Sequence, residues 1–158
     1  ETALLLTGIA LLATGSMEYV REGIRKPFTV YQYMYANGLT VDEIKKITND
    51  GFFAEPPLIA HGKDPAQLTP VERGRIIYDV QCLRCHAVDG YNAIRPLVEN
   101  WTVEMIRDNT RQLHRLRGFM PPFAGNDQDL EDLVAFLSTM RTEKWNQIHE
   151  SPAGEDAR

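Results

Sequence analysis

The chain has 158 residues, 43% of them hydrophobic and 25% charged, with a formal net charge of −5. That length holds one globular domain with some appended structure and excludes two full-sized domains. The mild acidity, with no basic stripe interleaved with aromatics, excludes nucleic acid as a partner.

The first element is Thr2 to Met17, apolar apart from Thr and Ser. A bilayer-spanning helix needs about 20 residues, so this run is expected to be a membrane helix cut at its start. A signal peptide would begin with a basic stretch, whereas this chain starts at Glu1; a truncated or processed chain with a membrane helix is the expectation. The helix should run through the charged flank that holds Glu22, Arg25 and Lys26 and stop before Pro27, which disfavours helical geometry in the residue preceding it. Residues 1–27 thus form a membrane-anchoring segment in contact with the lipid bilayer.

Residues 28–68 follow as an aromatic segment, a short helix and a linker. Phe28, Tyr31, Tyr33, Met34 and Tyr35 form either a belt at the bilayer interface or a packing surface against a partner or the domain itself. Thr40 and Glu43 have the spacing of a capping box, and Val41, Ile44 and Ile47 predict a short amphipathic helix ending near Gly51. Ala54 to Leu68, with three prolines and a glycine, reads as an ordered linker, and His61 within it as a solvated histidine.

A compact domain is expected over residues 69–141. Thr69, Pro70 and Glu72 supply an N-cap, a first-position proline and the reciprocal acid of a capping box. The helix they open carries Gly74 and Tyr78 on one face and ends in Cys82-Leu83-Arg84-Cys85-His86. Two cysteines three positions apart, with a histidine directly after the second, form the attachment site of a c-type haem. On one helical turn the two thiols face the same way and can add to both vinyl groups of one porphyrin, while the adjacent imidazole reaches the iron. A zinc site would need two more ligands, and His61 and His114 are single and distant. A redox dithiol would sit in a βαβ pattern, which the sequence lacks. The covalent chemistry takes place on the outer side of the bacterial inner membrane, which puts the domain on the periplasmic side. Arg21, Arg25 and Lys26 would by charge bias lie in the cytoplasm, and the covalent chemistry outweighs that statistical preference.

Ala87 to Asn100 reads as a loop. Thr102 caps a second helix with Val103, Ile106, Leu113 and Leu116 in helical spacing, and Arg107, Arg111 and Arg115 repeat on a solvated face. Gly118-Phe119-Met120-Pro121-Pro122-Phe123 offers a thioether on a loop whose prolines restrict the backbone, and Met120 is the expected second axial ligand, with His114 as the alternative. Met105 and Met140 are expected to pack. The last helix follows Asn126-Asp127 with Leu130, Leu133, Val134, Phe136 and Leu137 on its buried side. Residues 142–158 are a polar tail with Trp145 as its anchor candidate.

The array of Gly74, Tyr78, CLRCH, the methionine loop and the apolar C-terminal helix resembles a class I monohaem cytochrome c over Thr69 to Arg141. That resemblance implies an all-α fold whose first and last helices cross near Gly74 and the Leu133 to Leu137 region. The upstream GSMEYVREGIRKPF and its Tyr-rich sequel resemble the end of a cytochrome bd-like quinol-oxidising membrane subunit carrying a cytochrome c domain.

The function expected from these readings is not enzymatic by itself. Cys82 and Cys85 hold one covalent haem c, His86 and Met120 ligate its iron, and single electrons pass between a quinol-linked membrane respiratory complex and a periplasmic carrier. The partners are then the subunits of a membrane redox complex. The competing expectation is an enzyme with five-coordinate haem that reduces peroxide while Met120 merely packs. A haem-based gas sensor is a third, without a visible signalling domain.

Overall fold

The structure, a computed structural model, describes residues 2–24, 29–54 and 64–141. His61, Trp145, Arg25, Lys26, Pro27 and Phe28 lie outside the described residues, as does the Glu22 side chain. The expected fold class holds: the described residues form α-helices and turns, with only isolated bridges and no strand.

Helix α1 (Thr2–Ile24) is a single apolar helix whose side chains are exposed from Thr2 to Arg21. Two of its hydroxyls bond back to the helix backbone. The hydroxyl of Thr7 donates to the Ala3 carbonyl at 2.8 Å and that of Thr14 to the Ala10 carbonyl at 2.9 Å. The run Thr2–Arg21 is long and apolar enough to cross a membrane, with a mean hydropathy of 1.5.

The expected capping boxes form. Thr40 accepts from the Glu43 amide and Glu43 returns a bond to the Thr40 amide, opening α2 (Val41–Asp50), which ends at Gly51 with φ 94°. Thr69 and Glu72 do the same for α3 (Pro70–Gln81). Beyond α2, Phe52 is buried in the core and its amide donates to the Asp129 carboxylate at 2.8 Å. The core therefore takes in residues well upstream of Thr69.

Ala87 to Asn100 holds a one-turn helix, α4 (Arg95–Val98), where a loop was expected; Pro96 fits its first turn, and it drives Val98 into the core. The second helix also differs from expectation. It breaks at Gln112 into α5 (Val103–Arg111) and a single turn, α6 (Leu113–Leu116). Thr110 is buried just before the break, and its hydroxyl donates back to the Ile106 carbonyl at 2.7 Å, a contact that bends helices. Leu116 and Met105 are exposed, so Met105 does not pack as expected, whereas Met140 does.

Helix α7 (Asp127–Ser138) crosses α3 at Gly74. A Cβ there would lie 1.9 Å from the Asp132 carbonyl oxygen and 2.9 Å from the Phe136 Cβ, so only glycine admits this approach. Leu130, Leu133, Val134 and Leu137 pack with Ile76, Ile77, Tyr78 and Ile106 around the crossing. Arg73 on α3 bonds both oxygens of the buried Asp132 on α7, at 2.5 and 2.8 Å, and also donates to the Leu68 carbonyl. Arg107 pairs bidentately with Glu131 and Arg111 with Asp127. The arginine repeat lies on a solvated face, as expected, with Arg111 and Arg115 exposed, and at two of its three positions it also pairs with acids of α7.

Candidate functional site

Cysteine 82 closes α3, its amide donating to the Tyr78 carbonyl at 2.8 Å. The chain then makes one more turn, with the amides of Cys85 and His86 both reaching the Cys82 carbonyl, at 3.0 and 2.9 Å. Cys82, Cys85 and His86 are thereby gathered on one turn, and no disulfide joins the cysteines. The turn is pinned from both sides. The wholly buried Tyr78 donates its hydroxyl to the His86 carbonyl at 2.5 Å, and the Asn92 side-chain amide donates to the Cys85 carbonyl. Asn92 holds φ 57°, a left-handed conformation that asparagine tolerates.

Burial pushes the Cys82 thiol up to about 12, with the neighbouring Cys85 adding to it, and burial also raises Cys85 against the lowering effect of Arg84. Reactive CxxC dithiols have depressed values that favour thiolate, so these thiols lack that activation. Burial likewise keeps the Tyr78 hydroxyl protonated well above the ordinary range, as a permanent donor. Among the described residues no group of three His, Cys, Asp or Glu side chains is placed to hold a metal ion.

The methionine loop is tied to the same end of α3. Gln81, directly before Cys82, donates to the Ala124 carbonyl at 2.5 Å and accepts from the Ala124 amide at 3.0 Å, both partners being buried. Met120, four residues earlier, is half-buried, with its amide bonded to the Arg117 carbonyl at 2.8 Å. The His114 ring bonds the Met120 carbonyl, also at 2.8 Å. Sequence reasoning missed Gln81, whose only signal is its place before the first cysteine.

The upstream segment also reaches the site. Gly38 lies against the Arg84 guanidinium, a Cβ there being 3.3 Å from its central carbon, and Tyr35 packs edge-on to His114 with ring centroids 6.2 Å apart. A cavity of about 310 Å³ separates this segment from the methionine loop, lined by Tyr31, Tyr33, Tyr35, His114, Gly118 and Phe119.

Residues 69–137 match the family model described as cytochrome c oxidase, cbb3-type, subunit III. A cytochrome c-553-like protein of Synechocystis is 30% identical over 73 residues, covering 44% of this chain and 68% of that protein. The chain belongs to the cytochrome c family. No solved structure matches it.

A cytochrome c binds haem and transfers electrons, and the site can be tested against that group. His86 is half-buried and its Nδ1 is enclosed without a hydrogen-bond partner. An enclosed imidazole nitrogen left bare is costly unless that nitrogen gains a partner, and a bound group beside the ring could supply one. Together with two neutral thiols on the same turn and a tethered thioether loop, the donor set fits a haem with one nitrogen and one sulfur ligand.

Proposed function

We propose that this cytochrome c is a membrane-anchored relay, passing single electrons between a quinol-linked membrane respiratory complex and an acceptor on the periplasmic side. The observation that carries the reading is the Cys82–His86 turn, which gathers both thiols and the histidine and whose His86 carbonyl accepts from Tyr78. Cys82 and Cys85 would form the two thioethers, and His86 and Met120 the axial ligands. The bound haem supplies a one-electron couple, which methionine ligation raises relative to bis-imidazole ligation.

The chain's own residues set the conditions for that couple. Tyr78 and Asn92 fix the carbonyls of His86 and Cys85 and so orient the proximal ring. Gln81 and Ala124 hold the methionine loop against the attachment turn. The exposed apolar face of α1 supports anchoring in the bacterial inner membrane, which raises the effective concentration of the domain near a membrane partner. The proposed partner is a membrane redox complex, on the reading that GSMEYVREGIRKPF resembles the end of a quinol-oxidising subunit. The proposed organisation is an anchor over 1–27, a segment over 28–68 whose Phe52 joins the core of the haem domain, the haem domain's own helices over 69–141 and a tail over 142–158.

The test is production in a host with c-type cytochrome maturation, followed by membrane fractionation and acid–organic extraction. The proposal expects haem in the membrane pellet that stays with the polypeptide on extraction. Haem that partitions into the solvent contradicts covalent attachment; a fully soluble holoprotein contradicts the anchor.

A further inference from the structure

Resting on the reading of Met120 as an axial ligand, we propose that His114 is its positioning residue and that the turn over residues 35–38 braces His114 from the upstream segment. The backbone of Met120 is engaged at both ends. Its amide donates to Arg117, and its carbonyl receives a hydrogen bond from the His114 ring at 2.8 Å. A carbonyl only accepts, so Nδ1 carries the proton in this contact. Pro121 and Pro122 follow, with fixed φ and no amide to compete. The backbone from which the thioether departs is therefore held by a residue six positions upstream.

His114 is exposed, so burial in the core does not account for where its ring sits. Its orientation has a visible cause in Tyr35, which meets it edge-on at an interplanar angle of 81°. Tyr35 belongs to a tight turn, its carbonyl accepting from the Gly38 amide at 2.9 Å and its own amide donating to the Leu39 carbonyl at 2.9 Å. The far side of the same turn, at Gly38 with φ 86°, lies on Arg84 between the two cysteines. One turn from the segment after α1 thus touches the attachment motif and, through His114, the methionine loop. The upstream segment becomes a brace on the ligand loop.

Partners that orient a metal ligand typically change affinity by about ten- to a hundredfold when removed. Four variants of the haem-loaded chain test the proposal: His114→Ala, His114→Asn, Tyr35→Ala and Met120→Ala, each with helical content checked by circular dichroism. His114→Ala is expected to weaken the far-red methionine-to-iron band of the ferric protein, lower the midpoint potential and speed carbon monoxide binding roughly tenfold. His114→Asn, whose amide nitrogen sits at the position of Nδ1, is expected to restore all three. Tyr35→Ala should show a partial loss. If His114→Ala and Tyr35→Ala match the parent while Met120→Ala abolishes the band, the positioning role is overturned and the ligand reading stands. If Met120→Ala keeps the band, both are overturned.

Discussion

Gln81 and Ala124 exchange two hydrogen bonds across a separation of 43 residues, joining the last residue of α3 to the chain just beyond the methionine loop. The donor and acceptor of one side chain satisfy the backbone acceptor and donor of one buried residue. The Cys82–His86 turn and the methionine loop are therefore two ends of one polar clasp.

Replacing Gln81 by Leu leaves the Ala124 amide and carbonyl buried without partners. At about 1–3 kcal/mol for each orphaned group, the variant should lose roughly 2–6 kcal/mol in urea denaturation of the haem-loaded chain. Its far-red band should weaken as well, because the loop is released.

The crossing at Gly74 makes a separate prediction. In Gly74→Ala the new methyl meets backbone at Asp132, not the end of a flexible side chain, so α3 and α7 must move apart. A destabilisation of about 3 kcal/mol or more is expected, read from thermal unfolding.

The Arg73–Asp132 pair joins the same two helices, and Asp132 is 1% exposed. Its pairing raises Arg73, chiefly through the side-chain hydrogen bond to Asp132. Asp132→Ala strands the guanidinium near the crossing and should cost about 3–5 kcal/mol, whereas the double variant Arg73→Met with Asp132→Leu should recover most of the loss. A double variant no more stable than Asp132→Ala would count against this account of the pair.

Acid should loosen the seam between α5 and α7. The hydrogen bonds from Arg107 hold the Glu131 carboxyl below the ordinary glutamate range. Because the folded value is depressed, the contribution is complete above the unfolded value, about 4.3, and is lost as pH falls through the folded one. Glu131 is half-exposed, so the loss should be a fraction of a kcal/mol. Stability measured from pH 6 to pH 3 should fall less steeply in Arg107→Gln than in the parent.

What the sequence made legible were features that a chain settles with its own neighbours. Thr40 with Glu43 and Thr69 with Glu72 announce helix starts because both partners lie within four residues. The Leu130, Leu133, Val134 and Leu137 stripe marks a buried face by period alone. Gln81 with Ala124, Arg73 with Asp132 and Phe52 with Asp129 pair across long separations, and no local pattern encodes which distant group a side chain meets. The arginine repeat shows the same limit: spacing put Arg107 and Arg111 on one face, but not the acids of α7 opposite them. The break at Gln112 escaped because apolar spacing continues through it, while the bend follows from the Thr110 hydroxyl. At the site, the motif named Cys82, Cys85 and His86, yet the bonds that Tyr78, Asn92 and His114 make to the backbone of His86, Cys85 and Met120 emerge only from the fold.

The central claim is an iron held by His86 and Met120 on a covalent haem, and the ferric far-red spectrum of the purified protein tests it most directly. The account predicts a methionine-to-iron charge-transfer band that disappears in Met120→Ala while the haem stays attached. A parent spectrum without that band, or one unchanged in Met120→Ala, would contradict it.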